Sequence, residues 1–191
     1  MKLKVSFFFI LMVGALIFSH SYLSLSALLA ATLHELGHLI AAKMCSVPMS
    51  ELKLGIFGAS LKASGSIYSY PKEIFLAAAG PFVNLLTFFI FLNQSESANE
   101  FLRFFLISSL FLGILNLLPI EDLDGGRILK CALLCKFSPR TAEAVCKSIS
   151  FLVVFSLWVL SVYLLLRLSA SLSLFVFSLA LFSKIFLKRN L

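Results

Sequence analysis

Charge is what this chain has least of. Only 13% of its 191 residues are Asp, Glu, Lys or Arg, against 60% that are hydrophobic, and the mean hydropathy is +1.03. A soluble domain of this length could not withdraw so much apolar surface from water, so that class is excluded. Acidic residues are the scarcer sign, 9 against 16 Lys and Arg, which leaves a net charge of +7. In a soluble protein that excess would raise nucleic acid as a partner. Here the cations gather in short connections between apolar runs, as the positive-inside rule has them in membrane proteins, and nucleic-acid binding is set aside. Cysteine is also sparse: Cys45, Cys131, Cys135 and Cys146 form no CxxC pair and are read as reduced and structural. There is no internal repeat, no low-complexity tract and no soluble appendage. No small-residue cleavage site follows the first apolar run, so that run is not read as a removable signal.

What the chain has in abundance is apolar segments of membrane length. Crossing about 30 Å of hydrocarbon takes about 20 helical residues, and six such spans can be drawn: 5–19, 22–42, 74–92, 104–120, 148–166 and 168–186. The expectation is an all-α polytopic membrane protein, one domain over 1–191, with its core at about 22–129 and accessory helices at about 148–187. Lys2 and Lys4, then Lys43, Lys53, Lys62 and Lys72, then Lys130, Lys136, Arg140 and Lys147, and finally Lys188 and Arg189 fall on one side if the spans alternate. The opposite connection at 93–100 holds Glu96 and Glu100 but no Lys or Arg. Both termini are therefore expected in the cytoplasm, in a bacterial cell membrane.

The connection 45–72 carries a different period. Leu52, Leu54 and Ile56 alternate with Glu51, Lys53 and Gly55 before a break at Phe57-Gly58-Ala59-Ser60, which reads as a strand and turn on the cytoplasmic side. The functional expectation is an exposed edge at Leu52, Leu54 and Ile56 that hydrogen-bonds an extended substrate.

Two of the three histidines stand in His34-Glu35-Leu36-Gly37-His38, inside an otherwise uncharged apolar span. Ionisable residues are expensive there and mark function. At i and i+4 both imidazoles lie on one helical face and can ligate one Zn²⁺, while Glu35 beside them can accept a proton from water activated by the metal. Gly37 is expected to leave room beside the metal. A catalytic zinc takes three protein ligands and keeps one position open. The third is sought in Asn116-Leu-Leu-Pro-Ile-Glu-Asp-Leu-Asp-Gly-Gly-Arg127, where Pro119 and Gly125-Gly126 interrupt the helix. From spacing alone Glu121, Asp122 and Asp124 compete.

The chain resembles the site-2 protease family of intramembrane metalloproteases (peptidase M50). The family's HExxH, GPxxN and N-x-x-P-x-x-x-x-D-G stretches are matched in order by His34 to His38, by Gly80-Pro81-Phe82-Val83-Asn84, and by Asn116, Pro119, Asp124 and Gly125. The resemblance implies one Zn²⁺ per chain held by His34, His38 and Asp124, with Glu35 as general base. It thereby prefers Asp124 to its neighbours. It also implies a membrane-spanning or membrane-associated protein as substrate, cleaved in the lipid bilayer to release a cytosolic regulatory fragment, with a membrane inhibitor or a second copy as further partners. Asn116-Leu-Leu-Pro-Ile with Leu123-Asp-Gly-Gly is similar to the sporulation subgroup typified by stage IV sporulation protein FB, whose substrate is a sigma-factor precursor. The C-terminal CBS domain carried by many members is not expected in this chain.

Asn84 and Asn116 lie in spans, where an unpaired amide is costly. Each is read either as an interhelical hydrogen bond or as a contact to substrate, oxyanion or a ligand's far side. Gly80-Pro81 is read as a packing or bending element. Two rivals stand beside the protease. A zinc-binding transporter would spread its ligands over several helices, and an inactive relative that only binds membrane partners would have lost Glu35 or a ligand.

Overall fold

The computed structural model describes residues 2–5, 22–47, 49–55, 58–63, 69–94, 99–168, 175–176 and 178–182. The chain divides into two compact units, Met1–Leu117 and Leu118–Leu191.

Among the described residues the first unit holds a small sheet, three α-helices and a short 3-10 turn at Leu92–Gln94. Strands β1 (Lys2–Val5), β2 (Met49–Gly55) and β3 (Gly58–Ala63) lie in the order β1-β2-β3. β1 runs parallel to β2, with Leu3 opposite Leu52 and Val5 opposite Leu54. β3 runs antiparallel to β2, with Leu52 opposite Leu61 and Leu54 opposite Ala59. This corrects the expected edge. Leu52 and Leu54 lie on the central strand, whose backbone is paired on both sides, and an added strand could reach only the outer edge of β1 or β3. Ile56 lies outside the described residues.

Helices α1 (Tyr22–Met44), α2 (Tyr70–Phe91) and α3 (Glu100–Leu117) pack on one another. Ala30, Phe105 and Leu106 form a core between α1 and α3, flanked by Leu33, Phe88, Leu102 and Leu112. Local chemistry sets their ends. α1 stops in a Schellman turn: Ser46 takes φ 54°, its N–H reaches Lys43 O at 3.1 Å, and Val47 N–H reaches Ala42 O at 3.0 Å. α2 opens with Pro71 in its first turn, where a missing N–H costs nothing. α3 is capped by Asn99, whose Oδ1 accepts Leu102 N–H at 2.9 Å. It ends at Leu117 rather than the expected 120, because Pro119 restrains the residue before it and has no N–H to continue the ladder.

In the second unit α4 (Asp124–Leu134) packs on α5 (Pro139–Leu168). Ile120, Leu123, Val154 and Leu181 form its core. α5 begins nine residues before the expected span at 148. Ser138 accepts Thr141 N–H at 3.3 Å and Pro139 occupies the first helical position, so the helix starts at its cap and not where hydropathy rises.

Among the described residues four helices, α1, α2, α3 and α5, are long and apolar enough to cross a membrane. They correspond to the second through fifth expected spans. The first span lies outside the described residues except Val5, and the last is described only at Leu168, where α5 ends, and at 175–176 and 178–182, all helical. Phe82, Phe89, Phe111 and Leu152, each more than 60% exposed, show the outer faces to be apolar, as contact with lipid requires. These features suggest an integral membrane protein.

Candidate metal centre

His34 and His38 are one turn apart on α1, both about 5% exposed, with their Nε2 atoms 3.2 Å apart. Their rings meet edge to face, centroids 4.9 Å apart. His38 Nδ1 lies 2.8 Å from Leu76 O. A carbonyl can only accept, so Nδ1 carries the proton and the Nε2 lone pair is left facing His34. The amide of Asn84, which is fully buried on α2, stands at the other side of His34, with Nδ2 3.3 Å from His34 Nδ1 and Oδ1 buried without a hydrogen-bond partner.

Glycine makes this geometry fit. A Cβ on Gly80 would fall 2.8 Å from His34 Nε2, 2.7 Å from His38 Cε1 and closer still to His38 Nε2. Both imidazoles thus stand over bare backbone of α2. A Cβ on Gly37 would meet Ala79 O at 2.8 Å and Gly80 Cα at 3.1 Å. The expected role of Gly37 is therefore corrected: it lets α1 approach the α2 backbone, while the room beside the imidazole nitrogens comes from Gly80, expected only to pack or bend the helix. Glu35, the next residue after His34, is half-buried.

The segment after α3 is built around Asp124. Ile120 N–H bonds Leu118 O at 2.7 Å, Leu123 N–H bonds Ile120 O at 2.9 Å, and α4 starts at Asp124 with Leu123 extended before it. A carboxylate in the first turn is favoured by the helix dipole and the unpaired N–H groups there. Gly126 permits the tight return: a Cβ there would lie 2.8 Å from Glu121 Cα and against the Ile120 carbonyl. Asp124 is buried, with Arg127 Nη1 3.8 Å from its Oδ1, whereas Glu121 and Asp122 are half-exposed in the turn. Asn116 Nδ2 donates to Leu112 O at 3.0 Å, a bond to its own helix. Ser150, which sequence reasoning passed over, accepts Glu121 N–H at 2.9 Å and donates to Pro119 O at 3.2 Å.

His34 and His38 in the first unit each offer one buried ligand atom, and in the second unit Asp124 offers a buried carboxylate oxygen. The donor set passes a chemical test for zinc. Two nitrogens at about 2.0–2.1 Å from a tetrahedral Zn²⁺ stand about 3.3–3.4 Å apart, close to the observed 3.2 Å. Two imidazoles leave two of a zinc ion's four positions for other donors.

Comparison with known proteins agrees with this chemistry. Residues 91–157, which include Asn116 and Asp124, match Peptidase family M50. The chain is 29% identical over 188 residues to the zinc metalloprotease MJ0392 of Methanocaldococcus jannaschii, a match covering 89% of this chain and 52% of that protein. It thus spans about half the length of that curated relative. The fold is shared with the site-2 protease of Methanocaldococcus jannaschii, with a TM-score of 0.66, 24% identity, and coverage of 96% of this chain and 88% of that one. Over residues 91–157 the chain is thus similar to peptidase family M50, over most of its length it is similar to a zinc metalloprotease, and its fold is that of the solved site-2 protease.

Proposed function

We propose that this protein is an intramembrane zinc metalloprotease of the site-2 type, which hydrolyses peptide bonds of membrane-spanning or membrane-associated proteins within the bilayer. The observation that carries the reading is the pair of Nε2 atoms at 3.2 Å over the bare backbone of Gly80. Two lone pairs brought that close in a buried place repel unless a proton or a cation lies between them. His34, His38 and Asp124 are the ligands. Zinc bound there supplies a Lewis acid that polarises the scissile carbonyl and makes water acidic.

The chain's own residues do the rest. Glu35 takes a proton from the attacking water and delivers it to the leaving amine. Leu76 O holds His38 in the tautomer that keeps Nε2 unprotonated. Asn84 does the same for His34. Its amide ends are told apart only by their partners. With Oδ1 turned to Nδ1, the carbonyl accepts from Nδ1–H, the buried orphan oxygen is satisfied, and His34 Nε2 becomes a lone-pair donor. Asn116 is assigned to the substrate carbonyl or the oxyanion. An extended substrate adds to the outer edge of β3, in place of the expected contact with Leu52, Leu54 and Ile56 themselves. Both termini are cytoplasmic, and cleavage releases a cytosolic fragment. The phrase from Asn116 to Gly126 favours a sigma-factor precursor as substrate and sporulation as the setting.

The test is paired: zinc per folded chain, and cleavage of a single-span reporter in liposomes. Glu35→Gln keeps the shape and removes the basic carboxylate. Zinc should stay bound while cleavage falls by about 10²–10⁴-fold. Near-normal cleavage by Glu35→Gln, or cleavage by wild type that survives zinc removal, contradicts the proposal.

A further inference from the structure

We infer that Ser150 is a positioning residue for Asp124, acting through the backbone of the turn between them. The inference rests on Asp124 being a zinc ligand, as proposed above. Ser150 lies on α5, far in sequence from the turn, and its side chain is about 1% exposed. Helical serines inside apolar segments usually return their hydroxyl to a carbonyl of their own helix, as Ser156 does with Leu152 O at 2.8 Å and Ser161 with Trp158 O at 2.7 Å. Ser150 instead spends both its donor and its acceptor on the 119–121 backbone.

Those two groups need it. Pro119 breaks the ladder of α3, so Pro119 C=O and Glu121 N–H are among the backbone groups left without helical partners where the chain leaves an apolar segment. One hydroxyl satisfies both and fixes the peptide planes on either side of Ile120. Ile120 is itself 1% exposed, and its carbonyl accepts Leu123 N–H while pressing on Gly126. The contacts form a continuous chain from Ser150 through the turn at 119–121 to Leu123 and the first turn of α4, where Asp124 sits. Without the hydroxyl, Pro119 C=O and Glu121 N–H lose the bonds that Ser150 makes to them, and the turn can rotate towards water. Asp124 turns with it, and its carboxylate leaves the metal direction.

The experiment uses the full chain in detergent with two variants of equal shape. Ser150→Thr keeps the hydroxyl and Ser150→Val replaces it with a methyl group. Zinc affinity is read by chelator competition, and hydrogen exchange is followed at residues 119–124. Ser150→Val should bind zinc about tenfold more weakly, as expected for residues that orient a ligand, and exchange faster at Glu121, whereas Ser150→Thr stays near wild type on both. Ser161→Ala, which removes a buried hydroxyl on the same helix, should leave affinity unchanged. In an Asp124→Ala background the Ser150→Val effect on the residual zinc affinity should vanish while the faster exchange at Glu121 persists, since the hydroxyl reaches the metal only through Asp124. Wild-type affinity in Ser150→Val, or an undiminished effect without Asp124, overturns the positioning role. An Asp124→Ala chain that binds zinc as wild type does would instead overturn the ligand reading.

Discussion

Gly80→Ala isolates the metal centre from the rest of the fold. The new Cβ would stand 2.7 Å from His38 Cε1 and 2.8 Å from His34 Nε2. Comfortable contact needs about 3.5–4.0 Å, so one or both rings must withdraw by roughly 0.7–1.3 Å. Metal–ligand distances tolerate only about 0.2 Å. The displacement is several times that tolerance, and the substitution should cost at least about 100-fold in zinc affinity, with cleavage lost to match. The bundle itself should not suffer equally, because replacing a helical glycine by alanine favours the helix by about 0.5–1 kcal/mol. Two other glycines serve as controls. Gly113→Ala would meet Leu85 Cγ at 2.9 Å, the body of a side chain that can turn away, and should keep its zinc. Gly37→Ala would meet the Ala79 carbonyl at 2.8 Å, which cannot, and should lower both thermal stability and zinc content. The assay is zinc per chain after gel filtration, beside a melting curve with and without chelator. A Gly80→Ala protein that retains one zinc at wild-type affinity would refute the reasoning.

Other substitutions separate the remaining roles. His34→Ala, His38→Ala and Asp124→Ala should each weaken zinc binding severely in folded protein, while Glu121→Ala and Asp122→Ala should do so much less; equal loss at Asp122 with zinc kept in Asp124→Ala would reverse the assignment. Asn84→Asp keeps an oxygen opposite His34 Nδ1 and should hold zinc within about tenfold of wild type, whereas Asn84→Leu should lose about 10–100-fold; indistinguishable affinities would reduce Asn84 to packing. In a cysteine-free background, cysteine at Lys62 should be labelled only from the cytoplasm and cysteine at Ser97 only from outside, and the reverse pattern would invert the orientation.

The helical part of the fold was legible because burial in lipid writes itself as runs of apolar residues, and α1, α2, α3 and α5 all follow such runs. Ends were less visible where hydropathy and backbone chemistry disagree. Residues 139–147 are polar, so hydropathy places the fifth span at 148, yet Ser138 and Pro139 start the helix there. The sheet failed for a different reason. Alternation at 52–56 announces a strand but says nothing of its neighbours, and Lys2–Val5 was read as the approach to a span. Pairing is a long-range property, and only β1 on the far side shows that β2 is central.

How far the proposed centre can be read from sequence depends on how local each contribution is. His34 and His38 belong to one helix, and an i, i+4 pair has no other geometry to adopt. Asp124 competed with Glu121 and Asp122 because three acids in one turn differ only in where the turn sends them. That direction is set by groups without a signature of their own, the serine on α5 that ties the turn and the glycine that lets α4 fold back against it. Gly80 is the extreme case. Its contribution is the absence of a side chain at the point where two imidazoles converge, and an absence has meaning only once the opposing helix is known. The proposed site is therefore announced by its HExxH pair, while the close approach of the two imidazoles to α2 comes from a residue with no side chain. Asn84 falls between these cases, since a buried amide in a span signals a polar partner, but not that the partner is His34 Nδ1, fifty residues away.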